Sequence, residues 1–344
     1  MRPTMRVTII AQLDFNKQAN MQKKMKSQES FLTLRGHLQK TIVGQQALLD
    51  RLLIALLTGG HVLLEGPPGL AKTKAVNTLA GGVHASFQRI QFTPDLMPGD
   101  LTGSDIYDPN KGEFNFVPGP IFHEIILADE INRAPPKVQS ALLEAMQEHQ
   151  VTVGGVTRPL PDLFVVMATQ NPLEQSGTYP LPEAQLDRFL LHVVLDYPSA
   201  DDELIILQRD REQHFGVDEV VDDTKLDAAL VLQARREVSE VHVDEILEKY
   251  IVKLVGASRE LASINEDWDD FLLAGASPRA SIALLRASSA LAYLQGRDYV
   301  IPEDIVAMAP DVLRHRLILN HAARAAGFDA DVIVQKIIDV IAVP

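Results

Sequence analysis

The chain contains no cysteine. That excludes disulfides, zinc–thiolate sites and thiol nucleophiles. Basic residues are outnumbered: 32 Lys and Arg against 46 Asp and Glu give a formal net charge of −14. Such a balance argues against a nucleic-acid binder, which needs cations to neutralise phosphates, and against a protein held on anionic lipid. No apolar run approaches the roughly 18 residues of a membrane span. The apolar stretch Val7–Ala11 after Arg2 and Arg6 is too short for a signal-peptide core. The expected location is cytoplasmic, with no membrane insertion. The histidines lack metal-ligand spacing, so no zinc site is expected.

What is present fits a folded protein: 46% hydrophobic and 23% charged residues separate it from disordered chains. At about 150 residues per domain, 344 residues suggest two domains. Charge is unevenly spread. Residues 1–40 are net +6, whereas residues 201–270 carry 8 bases and 20 acids. The polar run 16–30 reads as an extension, which places a flexible segment at 1–28.

From Phe31 to Asp196 helical patterns alternate with short apolar runs. His61–Glu65, Phe87–Phe92, Ile125–Ala128, Phe164–Ala168 and Leu190–Leu195 are five candidate strands. Continuous apolar strands separated by helices indicate a parallel sheet covered on both faces. Beyond Tyr197-Pro198 the pattern becomes helical, over 226–236, 243–260, 281–294, 303–319 and 332–340. Ser199-x-x-Asp202 resembles a capping box opening that region. The expected organisation is an α/β core at 29–198 and an all-helical lid at 199–344. Two hairpins interrupt the core, one turning on Asp108–Gly112 and one on Gly154-Gly155. Capping the sheet edge and facing a pore or partner are both open readings for them.

The first candidate strand runs into Gly66-Pro67-Pro68-Gly69-Leu70-Ala71-Lys72-Thr73, and a helix follows. Strand, glycine-rich turn and helix form the context of a phosphate-binding loop. Backbone N–H groups and the helix N-terminus attract phosphate oxygens, Lys72 adds a charge, and the Thr73 hydroxyl can bind Mg²⁺. Ala71 stands where the general pattern has Gly, which is tolerable if its φ is negative. The third strand ends in Asp129-Glu130. At the carboxyl edge of a parallel sheet these face the loop. Asp129 is then placed to hold Mg²⁺ through water, and Glu130 to act as general base.

These motifs, in this order, resemble the AAA+ ATPases and, within them, the MoxR family. The likeness extends from about Leu34 to Val340. Gly66–Thr73 matches the family's phosphate loop, Ala71 included. Phe92–Gly103 resembles the lead into its insertion, and Asp129–Pro136 resembles its Walker B segment. Several roles are implied by the resemblance. Val43, Gly44 and Gln45 would cradle adenine. Asn171, in Ala168-Thr169-Gln170-Asn171-Pro172, would be sensor 1. Arg188, in Leu181–Phe189, would be an arginine finger inserted into a neighbouring subunit. Arg279, in Ser277-Pro278-Arg279, would be sensor 2, touching the γ-phosphate and reporting to the lid. Arg133 is a further candidate for a cross-subunit contact. Val312–Leu317 also looks family-like, without an assigned role.

The resemblance thus implies ATP and Mg²⁺ as cofactors and a homo-oligomeric ring, hexameric in the family pattern, that hydrolyses ATP to remodel or mature a protein client. A partner with a von Willebrand factor A domain is also implied. A chelatase-type motor subunit and a nucleotide-stabilised scaffold with little turnover are alternatives with a similar core. A nucleic-acid motor akin to the minichromosome-maintenance helicases is opposed by the net charge.

Overall fold

The computed structural model describes residues 27–172, 177–214, 225–265, 268 and 271–344. Most of the expected extension, and the acidic Asp267, Asp269 and Asp270 of the lid, lie outside the described residues. Helix α1 spans residues 27–41 and α2 Gln46–Thr58; β1 is Val62–Glu65 and α3 Lys72–Gly81. There follow β2 (Val83–His84), β3 (Phe87–Gln91), α4 (Pro98–Thr102), β4 (Gly103–Asp108), β5 (Glu113–Pro118), β6 (Ile125–Asp129) and α5 (Pro136–Glu148). Next are β7 (Gln150–Val153), β8 (Val156–Pro159), β9 (Val165–Gln170), α6 (Glu183–Leu186), β10 (Leu191–Val194) and α7 (Ala200–His214). The helical region holds β11 (Leu226–Asp227), α8 (Ala228–Ser239), α9 (Glu245–Ala257), β12 (Leu272–Ala274), α10 (Pro278–Leu294), α11 (Pro302–Leu313), β13 (Ile318–Leu319), α12 (His321–Ala325) and α13 (Ala330–Val340).

The five expected strands form one parallel sheet in the order β10-β1-β9-β6-β3. Successive side chains on a strand point to opposite faces, so each strand feeds two cores. Val62, Leu64, Ile125, Leu127, Val165 and Met167 pack on one face with α2, α3 and the lid helices. Leu63, Ile126, Ala128, Val166 and Ala168 pack on the other, against α5 and its neighbours. The first of these cores runs without a break from α1 through α10 to α13. Apolar burial therefore crosses the boundary expected near Pro198 and ties the lid to the sheet.

The described part of helix α1 includes two residues of the expected extension, Ser27 and Gln28. Ser27 is buried and hydrogen-bonded to Glu237, and Gln28 Nε2 donates to the Tyr293 carbonyl at 2.8 Å. The expected helix over 303–319 ends at Leu313. A 3₁₀ turn over Arg314–Arg316 follows, and β13 then pairs with β12. The chain leaves the α-helix where Arg314 and Arg316 are drawn onto groups at the sheet. Arg314 donates to the His192 carbonyl at 2.8 Å, and Arg316 bonds Asp187 Oδ1 at 2.7 Å. The helical region thus also contains short strands.

Both hairpins form. Gly154 and Gly155 have φ of 58° and 77°, the paired positive values of a type I′ turn. Neither hairpin joins the five-stranded sheet; they pack on each other. The Arg158 guanidinium of β8 lies 3.7 Å from the Phe116 ring centroid of β5. A Cβ on Gly154 would come within 2.1 Å of Asp105 Oδ2 and would push that carboxylate aside, and the positive φ there favours glycine.

Candidate nucleotide site

The loop between β1 and α3 lies at the carboxyl edge of the sheet. Gly66 closes against the last strand, where a Cβ would stand 2.9 Å from the Leu195 carbonyl oxygen. Pro67 and Pro68 carry the turn to Gly69, which has φ 86° with open space beside it. Lys72 Nζ folds back over the loop, donating to the carbonyls of Gly66 at 2.5 Å and Gln170 at 3.1 Å. Its ammonium therefore hangs over the cavity rather than in bulk water. That cavity is lined by Pro68, Gly69, Leu70, Ala71, Lys72 and Thr73 from the loop. Arg89, Asp129, Glu130, Thr169, Gln170 and Asn171 come from the ends of β3, β6 and β9. The sheet therefore brings together the loop, both carboxylates and Asn171.

Ala71 corrects one expectation. Its φ is +55°, not negative. Left-handed backbone costs a non-glycine residue about 1–2 kcal/mol, and alanine has the smallest side chain that incurs it. Glu130 is also left-handed, with φ 57°. Two such residues face one cavity, and strained backbone of this kind concentrates at functional sites.

Asp129 is buried at the end of β6. Its Oδ1 accepts from Thr169 Oγ1 at 2.6 Å, and its Oδ2 from Arg89 Nη2 at 2.7 Å and Nε at 3.0 Å. Thr73 Oγ1 lies 3.4 Å from the same Oδ2. A hydroxyl and a carboxylate at this separation are the hard oxygen donors that suit Mg²⁺. The donor set therefore fits the implied metal, with Arg89 supplying positive charge to the carboxylate from β3. Glu130 Oε2 accepts from Gln91 Nε2 at 2.8 Å and pairs with Arg133 Nε at 3.1 Å. Arg133, a candidate for a contact between subunits, here engages its own chain's Glu130. Asn171 is buried beside the loop.

A second cavity adjoins the loop on its other side. Thr41, Ile42, Val43, Gln45, Gly69, Leu70 and Ala71 line it, with Pro198, Ile206, Arg209 and Asp210 from the lid side. An apolar slot beside the phosphate loop suits a flat base. Gly44 approaches Asp202 so closely that a Cβ would lie 2.9 Å from its Cγ, and its φ is +72°. Asp202 is itself fixed by the Ser199 capping interaction, with Oδ2 accepting from Ser199 Oγ at 2.7 Å. The Val43–Gln45 segment and the start of α7 are therefore locked together.

Arg188 and Arg279 are not part of this assembly. Arg188 sits three residues before β10, whose first residue Leu191 pairs with Val62, the first residue of β1. Lys72 follows the last residue of that strand. The two lie at opposite edges of a parallel sheet. Arg188 Nη1 donates to the Leu143 carbonyl at 2.8 Å, and its buried Nε has no hydrogen-bond partner among the described residues. Arg279, 56% exposed, lies 3.8 Å from Asp187 Oδ2. A single cavity is lined by Arg188, Arg279, Arg286 and Arg316 together with Asp187, His61 and His149. Arg279, the sensor 2 candidate, stands where α10 starts beside Asp187, and it lines the arginine-rich cavity rather than the phosphate-loop cavity.

His61 lines this basic cavity. Its Nδ1 accepts from the Val166 N–H at 3.0 Å and its Nε2 lies 3.2 Å from the Met146 carbonyl. Burial, with nearby His149 and Arg235 adding to it, lowers its pKa to about 4, so it is neutral at pH 7. His315, bonded to the Phe189 carbonyl, is pushed well below 6.5, chiefly by burial.

Arg89, Gln91, Thr169 and Arg316 were not singled out by any motif. Arg89 and Gln91 stand in an alternating strand where a polar outward residue is ordinary. Arg316 lies in the one segment, Val312–Leu317, that looked distinctive without suggesting a chemistry.

Comparison with known proteins agrees with this geometry. The ATPase family associated with various cellular activities (AAA) matches residues 61–191, and the AAA lid domain matches residues 269–337. The chain is 46% identical over 307 residues to Chaperone MoxR1 of Mycobacterium tuberculosis, covering 89% of this chain and 80% of that protein. It is 47% identical over 308 residues to the uncharacterized protein YeaC of Bacillus subtilis, covering 90% and 93%. Protein MoxR of Methylorubrum extorquens is 32% identical over 82% of this chain and 85% of its own. A crystal structure from Cytophaga hutchinsonii superposes with TM-score 0.87 and 46% identity, covering 96% of this chain and 99% of that one. With an AAA core, its lid and chaperone relatives of this similarity, the chain belongs to the MoxR family of AAA+ ATPases.

Proposed function

We propose that this chain is a Mg²⁺-dependent ATPase whose catalytic site is completed by a second copy, within a ring of subunits that remodels a protein client. The observation that carries this reading is the separation of its parts. The phosphate loop, Asp129, Glu130 and Asn171 stand at one edge of the sheet, and Arg188 and Arg279 at the other. Four strand residues separate the edges, roughly 10 Å at about 3.3 Å per residue. Neither arginine can serve a nucleotide held by its own loop, whereas head-to-tail association brings one edge onto the other. Contacts of that kind close into rings.

Bound MgATP supplies a phosphoanhydride whose terminal phosphoryl group is transferred to water. The remaining work belongs to the chain. Val43 and Gln45 line the slot for the base. Lys72, the loop N–H groups and the N-terminus of α3 attract the phosphate oxygens. Thr73 and Asp129 hold the metal. Glu130 takes the proton of the attacking water once its carboxylate exchanges Gln91 and Arg133 for that water. The Asn171 amide orients the water, donating and accepting in one group. Arg188 and Arg279 of the adjoining subunit stabilise the developing charge; a planar, permanently charged guanidinium suits this. The protein client and a von Willebrand factor A partner follow from the MoxR resemblance. A six-membered ring is the stoichiometry that resemblance implies.

Mixing tests the shared site. Lys72→Ala and Arg188→Ala subunits are each expected to be inactive alone. Mixed, they regain part of wild-type turnover, because some interfaces pair an intact loop with an intact arginine. Absence of rescue in rings verified as mixed by native mass spectrometry would defeat the shared-site reading.

A further inference from the structure

Arg316 is 6% exposed, an unusual place for a guanidinium. Its donors spread across one short turn. Nε donates to Asp187 Oδ1 at 2.7 Å. Nη2 donates to the carbonyls of Asp187 at 3.2 Å and Phe189 at 2.7 Å, and Nη1 to that of Leu190 at 3.5 Å. Nη1 also bonds the Val312 carbonyl in the last turn of α11. The acceptors thus lie on residues 187, 189 and 190, on both sides of Arg188. A single ion pair for stability would be served as well by apolar packing, since burying a charge pair gains little. A planar fork holding three residues of a turn fixes its backbone instead, which a lysine ammonium cannot do. Asp187 extends the hold. Its Oδ2 accepts from Ser277 Oγ, the N-cap of α10, at 3.1 Å, one residue pair away from Arg279.

We propose that Arg316 is the positioning residue for Arg188: its guanidinium clamps the 187–190 turn so that the Arg188 side chain is presented at the basic edge in the geometry that a neighbouring active site requires. This gives the Val312–Leu317 segment a function, the lid gripping the arginine-bearing turn of the core. The inference rests on the reading of Arg188 as a residue that acts in trans. Misplacing such a group by an ångström can cost on the order of 100-fold in rate.

The test uses full-length Arg316→Lys, Arg188→Ala and the double variant. Arg316→Lys keeps a charge beside Asp187 but cannot span the carbonyls. Expected are a fall in kcat of roughly 10- to 100-fold and a Kd for a fluorescent ADP analogue unchanged within about two-fold, since that ligand meets only the other edge of the sheet. The double variant should be no slower than Arg188→Ala alone, because Arg316 acts through Arg188. Mixed with Lys72→Ala subunits, Arg316→Lys should be rescued as Arg188→Ala is. Should Arg316→Lys fail to fold, Asp187→Asn, which removes the anchoring charge at constant volume, takes its place under the same criteria. Wild-type kcat in the folded variant, or losses that multiply in the double variant, overturns the positioning role. Wild-type kcat in Arg188→Ala instead overturns the reading beneath it, and the proposal falls with that reading.

Discussion

At the carboxyl edge of the sheet, backbone N–H groups, one lysine and two carboxylates surround a cavity with mixed charge. At the amino edge, four arginines share a cavity in which, among the described residues, the ion pairs of Arg279 and Arg316 both fall on Asp187. One edge has the composition that suits an anion with its metal, and the other is dominated by guanidinium groups. They differ also in how they are fixed. The loop is held by its own backbone and by left-handed residues, whereas the arginine turn is held from outside by the lid. Under the proposed function each chain would carry two unlike halves of one site, and the lid, which contacts both edges, would couple them.

The sharpest way to break this asymmetry is Lys72→Ala. Removing the cation over the phosphate cavity should abolish binding of a fluorescent ATP analogue and reduce phosphate release to background. Arg188→Ala should leave that binding intact while lowering kcat by about 10³-fold or more, the scale of arginine fingers elsewhere. Titration beside single-turnover kinetics separates the two; equal losses of binding in both variants would erase the distinction between the edges. Glu130→Gln keeps the side-chain volume and the Gln91 contact but removes the base. Expected are normal nucleotide binding and a kcat lower by about 10²–10⁴-fold, the range for a lost general base. Turnover at the wild-type rate would remove Glu130 from that role.

The two edges were unequally legible in the sequence. The carboxyl edge is encoded locally: Gly66–Thr73 and Asp129-Glu130 are contiguous, and a parallel sheet brings strand ends together whatever the loops do. The edge strands β3 and β10 mix buried and exposed positions, whereas the central strands β1, β6 and β9 were legible as short apolar runs buried on both faces. Arg89 and Arg316 were not, because their importance lies in partners 40 and 129 residues away, Asp129 and Asp187. The sign of φ at Ala71 was also hidden, since alanine rarely marks left-handed backbone. The placement of Arg279 at the amino edge was hidden too, since it depends on how α10 packs and no local motif states that.

Acidity should sharpen the comparison last and least. The amino edge contains His61, buried and neutral, with its pKa lowered to about 4, and His315, lowered in the same direction. In the unfolded chain both titrate near 6.5. Between those values the unfolded state binds more protons, so stability rises with pH there. The contribution of His61, roughly 3 kcal/mol, is complete above pH 6.5 and is lost as pH falls towards 4, and His315 acts in the same direction. At the carboxyl edge Glu65 is the opposite kind of group. The His192 hydrogen bond lowers its pKa below 4.5, so its contribution holds above that value and fades only under more acid conditions. Urea unfolding measured from pH 7 to 4 should therefore lose stability mainly above the carboxylate range. His61→Phe, which cannot be protonated, should flatten that slope even if its stability at pH 7 is lower. Hydrogen exchange at pH 5 should show the turn at 187–190 opening before the loop at 66–73; the reverse order would place the acid-sensitive edge on the wrong side of the sheet.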